Sequence, residues 1–412
     1  MKRLLHIILL ALLLPMVPSA SSGQVPSDGF TVVDTSVVAS LLTCSPGEEI
    51  YELYGHTAIR MRWTEARGDS AVTYVAVFNF GVFDFNQPHF AWHLTLGECN
   101  YIVAPALTSQ FLMEYERRGS SVTEQVLALR PYEAVGLMHA LDSVSRPENR
   151  TYLYNIFRNN CTTKARDIIE ESIYGEVRYA VQPRRNTFRT ILHEFTDGHP
   201  WAREGNDLLL GATVDTAITE RDEMFSPIYM MHYADGAFID ADQLGMRPLV
   251  AERRELLAAN PERQAAVAAR QSFIPLTPAV VGWGVLVLGL LIALWEWRRG
   301  RVCWPMDAVL MTLQGLAGVL LTFMALFSQH PGVASNWQVW VLNPLPLLFV
   351  PLVLRADIRG QRCMYHRFAV LWLGAFVVLY FILPQHFSQI ILPVALLLLS
   401  RAILHLLTPA KS

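Results

Sequence analysis

The last third of the chain limits its possible folds more than any other feature, because it consists largely of long apolar stretches. Five of them follow one another from about Leu276, and each approaches the roughly 20 residues that a helix needs to cross the hydrocarbon core. They read "PAVVGWGVLVLGLLIALW", "DAVLMTLQGLAGVLLTFMALF", "NWQVWVLNPLPLLFVPLVL", "FAVLWLGAFVVLYFILP" and "SQIILPVALLLLSRAILHLL". The sequence therefore predicts a transmembrane domain of five helices over residues 276–412.

The arginines between these stretches predict the orientation of the domain. They follow the first stretch and separate the third from the fourth: Arg298, Arg299 and Arg301, then Arg355, Arg359, Arg362 and Arg367. The other two loops, "SQHPGVASN" and "PQHFSQ", contain no lysine or arginine. Because arginine-rich loops stay in the cytoplasm, the chain up to about Pro275 is expected on the outer side of the membrane.

The N-terminus independently predicts export. Met1, Lys2 and Arg3 precede an apolar run from Leu4 to Met16 and the small residues "VPSASSG", which is the pattern of a secretory signal. An uncleaved anchor helix would place the following segment on the same side. We expect a signal peptide over 1–22, an outer domain over 23–245, a charged helical connection over 246–275 and the transmembrane domain after it.

Composition agrees with a chain that is partly in water and partly in lipid. Hydrophobic residues make up 52% and charged residues 17%, and the mean hydropathy is +0.28. These values lie between those of soluble and purely integral proteins. The formal net charge is −3 and there is no long basic run, so we expect no nucleic-acid partner.

The cysteines can be sorted by compartment. Of the five, Cys303 and Cys363 fall on the cytoplasmic side, which leaves Cys44, Cys99 and Cys161 outside. Three is an odd number, so at least one outer thiol is unpaired within the chain. An inert buried cysteine is the ordinary alternative for each of them.

The surroundings of Cys161 favour a reactive thiol. It follows Asn159 and Asn160, which are helix-capping residue types, and precedes "ARDIIEESIY", which has helical apolar spacing. Free backbone N–H groups and the positive end of the helix dipole favour the thiolate there. The sequence therefore predicts Cys161 as a nucleophile.

A base for this thiol is predicted in "YELYGHTAIRMRW", which alternates as a strand. If Gly68 and Asp69 form a two-residue hairpin loop, the returning strand "VTYVAVFNFGVFDF" pairs Asn79 with Ala58. Asn79 then lies diagonal to His56 on the same face, where its amide orients the imidazole. We predict a catalytic set of Cys161, His56 and Asn79.

Other polar residues of the outer domain offer alternatives to this set. Asp84 is a second candidate to orient His56, although Asn79 and Asp84 equally suit turns around "FNFGVFDF". Five other outer histidines show no metal-ligand spacing with one another: His89, His93, His193, His199 and His232. We therefore expect neither a metal nor another cofactor.

Several ordered motifs together resemble a known family. They are "LLTCSPGEEIYELYGHTAIRM", "VFNFGVFDFNQPHFAWHLTLGE", "EQVLAL", "YLYNIFRNNCTTKARD" and "LLLGATVDTAITERDEMFSPIY", with "SQHPGVASNWQVWVLNPLPLL" in the membrane region. This chain looks like the Bacteroidota membrane protein family named for lipoprotein N-acyltransferase. The resemblance implies a bacterial inner-membrane, multi-pass protein whose catalytic domain lies in the periplasm.

The order of the catalytic groups gives a second resemblance. His56 precedes Cys161, whereas papain-like and NlpC-type peptidases have the cysteine first. A circularly permuted relative resembles the lecithin:retinol acyltransferase group, which moves acyl chains from phospholipids through a thioester. We therefore expect an α+β, permuted papain-like (NlpC-like) periplasmic domain followed by the five-helix membrane domain.

Together the two resemblances imply a thiol acyltransferase. The donor would be a phospholipid, and the acceptor the N-terminal amine of a diacylated lipoprotein. Backbone N–H groups at the helix start would bind the oxyanion, with support from Asn159 or Asn160, which read equally well as plain caps. At the outer ends of the second and third membrane stretches we predict lipid-binding residues: His330, Asn336, Trp337 and Asn343. Asp215 in "GATVDTAITE" is a further candidate for this role, with an N-cap or loop residue as the alternative.

Two other functions remain open at this point. A membrane-tethered cysteine peptidase or amidase acting on peptidoglycan would use the same Cys161 and His56. Five membrane stretches are more than such a hydrolase needs as an anchor, which favours the acyltransferase. A non-catalytic receptor or transporter accessory would require both residues to be packing residues.

Overall fold

The computed structural model describes residues 37–67, 70–83, 88–180, 185–241, 244–271 and 276–408. The predicted signal peptide lies outside these residues. The strands are β1 Val38–Cys44, β2 His56–Arg67, β3 Ser70–Val82, β4 Asn100–Leu107, β5 Val122–Leu127, β6 Thr151–Leu153, β7 Glu176–Arg178, β8 Phe238–Asp240, β9 Met246–Pro248 and β10 Val250–Leu257.

The helices run from the outer domain to the end of the chain. They are α1 Phe90–Leu96, α2 Thr108–Arg118, α3 Pro131–Ser145, α4 Cys161–Ser172, α5 Phe188–Thr196, α6 Pro200–Leu209, α7 Glu220–Glu223, α8 Pro227–Asp235, α9 Pro261–Gln271, α10 Pro278–Arg299, α11 Trp304–Phe327, α12 Leu345–Ile358, α13 Met364–Leu379 and α14 Ile391–Leu407. The chain divides into two units, one made of Met1–Phe195 and Ala217–Ser272, the other of Thr196–Thr216 and Phe273–Ser412.

The first unit is built on a seven-stranded sheet with the order β10-β5-β1-β2-β3-β4-β6. Every neighbouring pair in this sheet is antiparallel. A second, three-stranded sheet has the order β7-β8-β9. Strand β1 is almost entirely buried, whereas β2 buries Thr57, Ala58, Ile59, Met61 and Trp63 and exposes Arg62.

The predicted register of the central hairpin is confirmed. Arg67 pairs with Ser70 and Ala58 pairs with Asn79, although the turn residues themselves lie outside the described part. One face of the hairpin, with Ala58 and Val77, belongs to a core that includes α2. Helix α4 contacts β2 and β3, and it buries an apolar stripe with Ala165 against the unit.

The predicted helical connection over 246–275 is wrong in its first half. Residues 246–257 contain β9 and the whole of β10, and helix α9 begins only at Pro261. Strand β10 adds to β5 at the edge of the large sheet. There Arg254 bonds the buried carboxylate of Glu124 at 2.6 Å. Pairing along β5 is the tertiary interaction that outweighs the helix propensity of "VAERRELL".

The second unit is helical. Among the residues that the structure describes, three segments are long and apolar enough to cross a membrane, namely Pro278–Arg299, Trp304–Phe327 and Trp337–Ile358. The remaining two predicted spans appear as shorter apolar helices, Met364–Leu379 and Ile391–Leu407. The number of five crossings therefore stays a prediction, whereas a membrane-type helical region is present.

The second unit also contains a segment that the sequence assigned to the outer domain. Residues Thr196–Thr216 group with the membrane helices because polar side chains of later segments bind their backbone. Asn336 Nδ2 donates to the Leu208 carbonyl at 2.8 Å, and Gln338 Nε2 donates to that of Asp207 at 2.7 Å. The fold is thus a mixed α/β unit and a helical unit, and the permuted papain-like relationship stays a prediction.

Candidate active site

Cys161 is the first residue of α4, as the sequence predicts. Asn160 caps the helix, since its Oδ1 accepts from the backbone N–H groups of Thr162 and Thr163, both at 2.9 Å. Its Nδ2 donates to the carbonyls of Ile156 and Phe225 at 2.7 and 2.8 Å. Both amide hydrogens are thus in use, so a contact between Asn160 and an oxyanion would require breaking one of these bonds.

Asn159 holds the loop before the helix. Its Nδ2 donates to the Leu153 carbonyl at 2.7 Å, and its backbone exchanges hydrogen bonds with Asn155. These bonds connect the end of β6 to the start of α4. The two asparagines therefore position the thiol through the backbone, and direct support of the reaction by either one stays a prediction.

His56 is the first residue of β2, and the structure brings its ring to Cys161. His56 Nε2 lies 3.3 Å from Asn79 Oδ1, so Nδ1 is the ring nitrogen left for its hydrogen bond with the thiol. Asn79 reaches the ring from the returning strand, in the diagonal position that the register predicts. The three residues proposed as the catalytic set are therefore adjacent, and their roles stay predictions.

Gly55 explains how the chain enters β2 directly at His56. Its φ is +73°, in the left-handed region that glycine adopts without strain. A Cβ there would lie 2.6 Å from the Cys44 carbonyl oxygen. The close approach of the two strands thus requires glycine immediately before the imidazole.

Charge interactions bias the dyad toward an ion pair. Burial raises the pKa of the Cys161 thiol, but the charge and hydrogen bond of His56, the Thr57 backbone and the Thr162 hydroxyl outweigh it, so that pKa is lowered. For His56, burial acts to lower the pKa, but the Cys161 thiolate and the Asn79 amide outweigh it and raise that pKa. The arrangement therefore favours the state in which Cys161 is a thiolate and His56 is an imidazolium.

Two threonines lie next to the thiol where β2 meets the start of α4. Thr57 Oγ1 and Thr162 Oγ1 are buried and lie 3.0 Å apart, which joins β2 to the first turn of α4. Thr162 Oγ1 also lies 3.8 Å from Cys161 Sγ. This contact fixes the helix start against the strand that carries His56.

Sequence reasoning missed an aromatic wall beside the thiol. Gly81 sits at an irregularity between β3 and β4 with a φ of +87°. A Cβ at Gly81 would lie 3.7 Å from Tyr152 Oη and 3.8 Å from Cys161 Cβ, so both atoms border the same space. Tyr101 pairs with Tyr152 across β4 and β6, and its ring stacks on Tyr154 at 4.2 Å.

The hydroxyl of Tyr152 is the unusual member of this wall. It is buried, and its O–H donates no hydrogen bond within the described part of the chain, although the backbone N–H of Gly81 approaches its oxygen. Burial, followed by the nearby Cys161 thiolate, raises the pKa of Tyr152, so the phenol keeps its proton. Lys164 Nζ lies 5.0 Å from the centre of its ring. Strand β6, which carries Tyr152, is only three residues long, so no alternation in the sequence signals this tyrosine.

The other outer cysteines differ from Cys161. Cys44 and Cys99 are both buried, and neither is in a disulfide. Burial raises the pKa of each thiol, strongly so for Cys44. Both therefore behave as packing residues. Asp84, the second candidate to orient His56, lies outside the described residues.

The predicted lipid-binding residues lie in the second unit. Asn336 and Asn343 are buried, and both use their side chains within the protein: Asn343 donates to the Trp340 carbonyl and accepts from the Leu345 backbone. Trp337 is exposed and His330 is half-buried. Asp215 accepts from the His386 backbone at 3.1 Å. Lipid binding by His330, Asn336, Trp337 and Asn343 stays a prediction.

Comparison with known proteins identifies the family. The Lnb N-terminal periplasmic domain matches residues 31–194, which contain Cys161, His56 and Asn79, and the Lnb transmembrane domain matches residues 269–412. These two domains, in this order, form the architecture of the Lnb lipoprotein N-acyltransferase family. The chain belongs to that family, which confirms the resemblance drawn from its motifs. Searches of curated proteins and of solved structures gave no match.

Family membership defines the setting of the site. The first unit carries a periplasmic domain and the second a membrane domain, so the protein is an inner-membrane protein with its N-terminal part in the periplasm. Its domains are those of an enzyme in lipoprotein biogenesis.

Proposed function

We propose that this protein is a thiol acyltransferase that moves a fatty acyl chain from a phospholipid to the N-terminal amine of a diacylated lipoprotein. The observation that carries the proposal is the contact of Cys161, at a helix start, with a histidine that is held by Asn79. This arrangement lies in the periplasmic domain of a membrane protein from a lipoprotein N-acyltransferase family.

The first half of the cycle loads the enzyme. The Cys161 thiolate attacks the ester carbonyl of the phospholipid and forms a tetrahedral oxyanion. As the carbon–oxygen bond breaks, the His56 imidazolium gives its proton to the departing glycerol oxygen. The products are a thioester on Cys161 and a lysophospholipid.

The second half of the cycle transfers the acyl chain from Cys161 to the lipoprotein. The N-terminal amine of the lipoprotein attacks the thioester, and His56 accepts a proton from the nitrogen. The carbon–sulfur bond then breaks, which gives an amide and restores the thiolate with imidazolium. Asn79 holds the imidazole during both halves, because its Oδ1 accepts from Nε2–H and leaves Nδ1 facing the sulfur.

Tyr152 completes the proposal as an oxyanion donor. Its hydroxyl borders the same space as Cys161 Cβ, keeps its proton and has no protein acceptor. A buried donor without a partner is costly, and it gains a partner when negative charge develops on the carbonyl oxygen. Asn160 already binds the backbone N–H groups of Thr162 and Thr163, so the N–H of Cys161 itself is the further donor at the start of α4.

Replacing Tyr152 with phenylalanine tests this role. Loss of one oxyanion donor typically costs about 10²- to 10³-fold in rate, and we expect a decrease of this order in the turnover number of Tyr152→Phe with little change in KM. The control is Tyr179→Phe, whose hydroxyl bonds Glu170 at 2.8 Å instead. Equal activity of Tyr152→Phe and wild type would exclude the contact.

A peptidoglycan peptidase or amidase is the competing function, and the acyl-enzyme distinguishes the two. Purified full-length protein given phospholipid alone should gain one fatty acyl mass on the peptide that contains Cys161. The adduct should disappear with neutral hydroxylamine, because thioesters are cleaved by it. Diacylated lipopeptide should also discharge it, with triacylated product appearing.

Two results would contradict the acyltransferase. A peptidoglycan hydrolase would show no adduct with phospholipid. A lipase would lose its adduct to water at the same rate with or without lipopeptide. Cys161→Ser, treated in parallel, should show no hydroxylamine-sensitive adduct.

A further inference from the structure

The second unit contains a buried cluster of charged residues that the proposed acyl transfer does not use. It joins the ends of five apolar helices of this unit, α10 to α14: Glu296 on α10, Asp307 on α11, Asp357 on α12, His366 on α13, and Arg401 and His405 on α14. By the arginine pattern, these are the cytoplasmic ends.

One part of the cluster is fully paired. Arg401 bonds Asp307 through two nitrogens, at 2.7 and 2.8 Å, and also forms an ion pair with Glu296. His405 Nε2 lies 3.0 Å from Asp307 Oδ2. Asp307 therefore accepts from both Arg401 and His405.

The other part, around Asp357 and His366, is only partly paired. The side chains of Asp357 and His366 are only 5% and 6% exposed, yet Asp357 Oδ2 and His366 Nε2 have no hydrogen-bond partner in the described chain. Asp357 Oδ1 lies 3.3 Å from His405 Nδ1 and 3.8 Å from His366 Nε2. If His405 is neutral and donates from Nε2 to Asp307, its Nδ1 directs a lone pair at a carboxylate. That contact is unfavourable unless a positive charge lies between the two atoms.

A proton on His405 Nδ1 alone would satisfy that contact, but it would leave Asp357 Oδ2 and His366 Nε2 without a hydrogen-bond partner in the described chain. Protons on both histidines would not resolve this either. The rings of His366 and His405 stack in parallel, 3.8 Å apart with planes 7° apart, which would bring two imidazolium charges face to face. With neutral histidines, however, Glu296, Asp307 and Asp357 against Arg401 leave a charge of two negative units. A divalent cation beside neutral imidazoles balances that charge.

We propose that Asp357, His366 and His405 bind a divalent first-row transition metal ion such as Zn²⁺. Their ligand atoms all lie within 4.8 Å of one another, and two imidazoles with one carboxylate are a ligand set that such ions favour. Asp307 accepts from the other ring nitrogen of His405, the usual arrangement around a metal-bound histidine. The ion would tie the ends of α12, α13 and α14 together.

Metal analysis of the full-length protein tests the proposal. The protein is purified in detergent with a tag that contains no histidine, its metal content is measured, and the metal-free form is titrated with Co²⁺. We expect one divalent ion for each chain and a visible Co²⁺ absorption band that Zn²⁺ abolishes.

His366→Ala is the informative variant. Because His366 Nε2 makes no hydrogen bond in the described chain, the change leaves no partner of that nitrogen unsatisfied, and the fold should survive. It should weaken Co²⁺ binding by more than the roughly 10- to 100-fold that loss of an outer-shell partner costs. His330→Ala, a histidine of the same unit outside the cluster, should bind as wild type does.

Two outcomes would overturn the proposal. One is a wild-type protein that is isolated without a divalent metal and takes up no Co²⁺, which would assign the cluster to ion pairing alone. The other is unchanged binding by His366→Ala. If that variant does not fold, the wild-type titration still decides between the two cases.

Discussion

Cys161→Ser should abolish acyl transfer, with a decrease of roughly 10⁴-fold or more, as is usual when a catalytic nucleophile is lost. A serine hydroxyl does not ionise beside His56 as the thiol does, because its pKa is far higher. It therefore lacks the thiolate–imidazolium pair that the lowered pKa of Cys161 and the raised pKa of His56 favour. The measurement is the rate at which triacylated lipopeptide forms in detergent or vesicles.

Cys99→Ser is the matched control for that experiment. Cys99 is a buried free thiol of the same unit, and burial raises its pKa, so it contributes no thiolate. We expect this variant to keep most of its activity. If Cys161→Ser transferred acyl chains at the wild-type rate, the thioester mechanism would have to be abandoned.

His56→Ala should shift the pH at which Cys161 reacts. In the wild type, the thiolate is present above the lowered pKa of Cys161 and is lost as the pH falls through it. Without His56, burial remains as the largest influence and raises that pKa. The pH of half-maximal alkylation of Cys161 by iodoacetamide should therefore rise, and acyl transfer should fall by roughly 10²- to 10⁴-fold.

The pH profile of acyl transfer gives a second readout. Activity of the wild type should fall at low pH as Cys161 is protonated, and at high pH as His56 loses its proton. Asn79→Ala removes a hydrogen bond that raises the pKa of His56, so the high-pH limit of activity should move to lower pH in this variant.

The alkylation experiment has its own contradicting outcome. Identical alkylation profiles for wild type and His56→Ala would show that His56 does not control the thiol.

The core of the candidate site could be predicted because local patterns determine it. A two-residue turn and strict alternation define one register, and that register places Asn79 opposite Ala58. The capping residues before Cys161 likewise define where α4 begins. Both inferences need only residues that are close in the chain.

Features that depend on distant partners could not be predicted. Tyr152 reaches the thiol through the pairing of the short strand β6 with β4. The segment 246–257 reads as helical, yet it forms strands because β5 offers an unpaired edge. The ligands of the proposed metal site come from three helices, so their spacing in the sequence resembles no metal motif.

The placement of Thr196–Thr216 in the membrane unit has a consequence for biosynthesis. This segment is made early, whereas the residues that bind its backbone, Asn336 and Gln338, are made more than a hundred residues later. Strand β10, which completes the sheet edge, is also made after it. Folding of the periplasmic chain therefore cannot finish in the order of synthesis, and residues 196–216 must wait for the later membrane helices before they gain their partners.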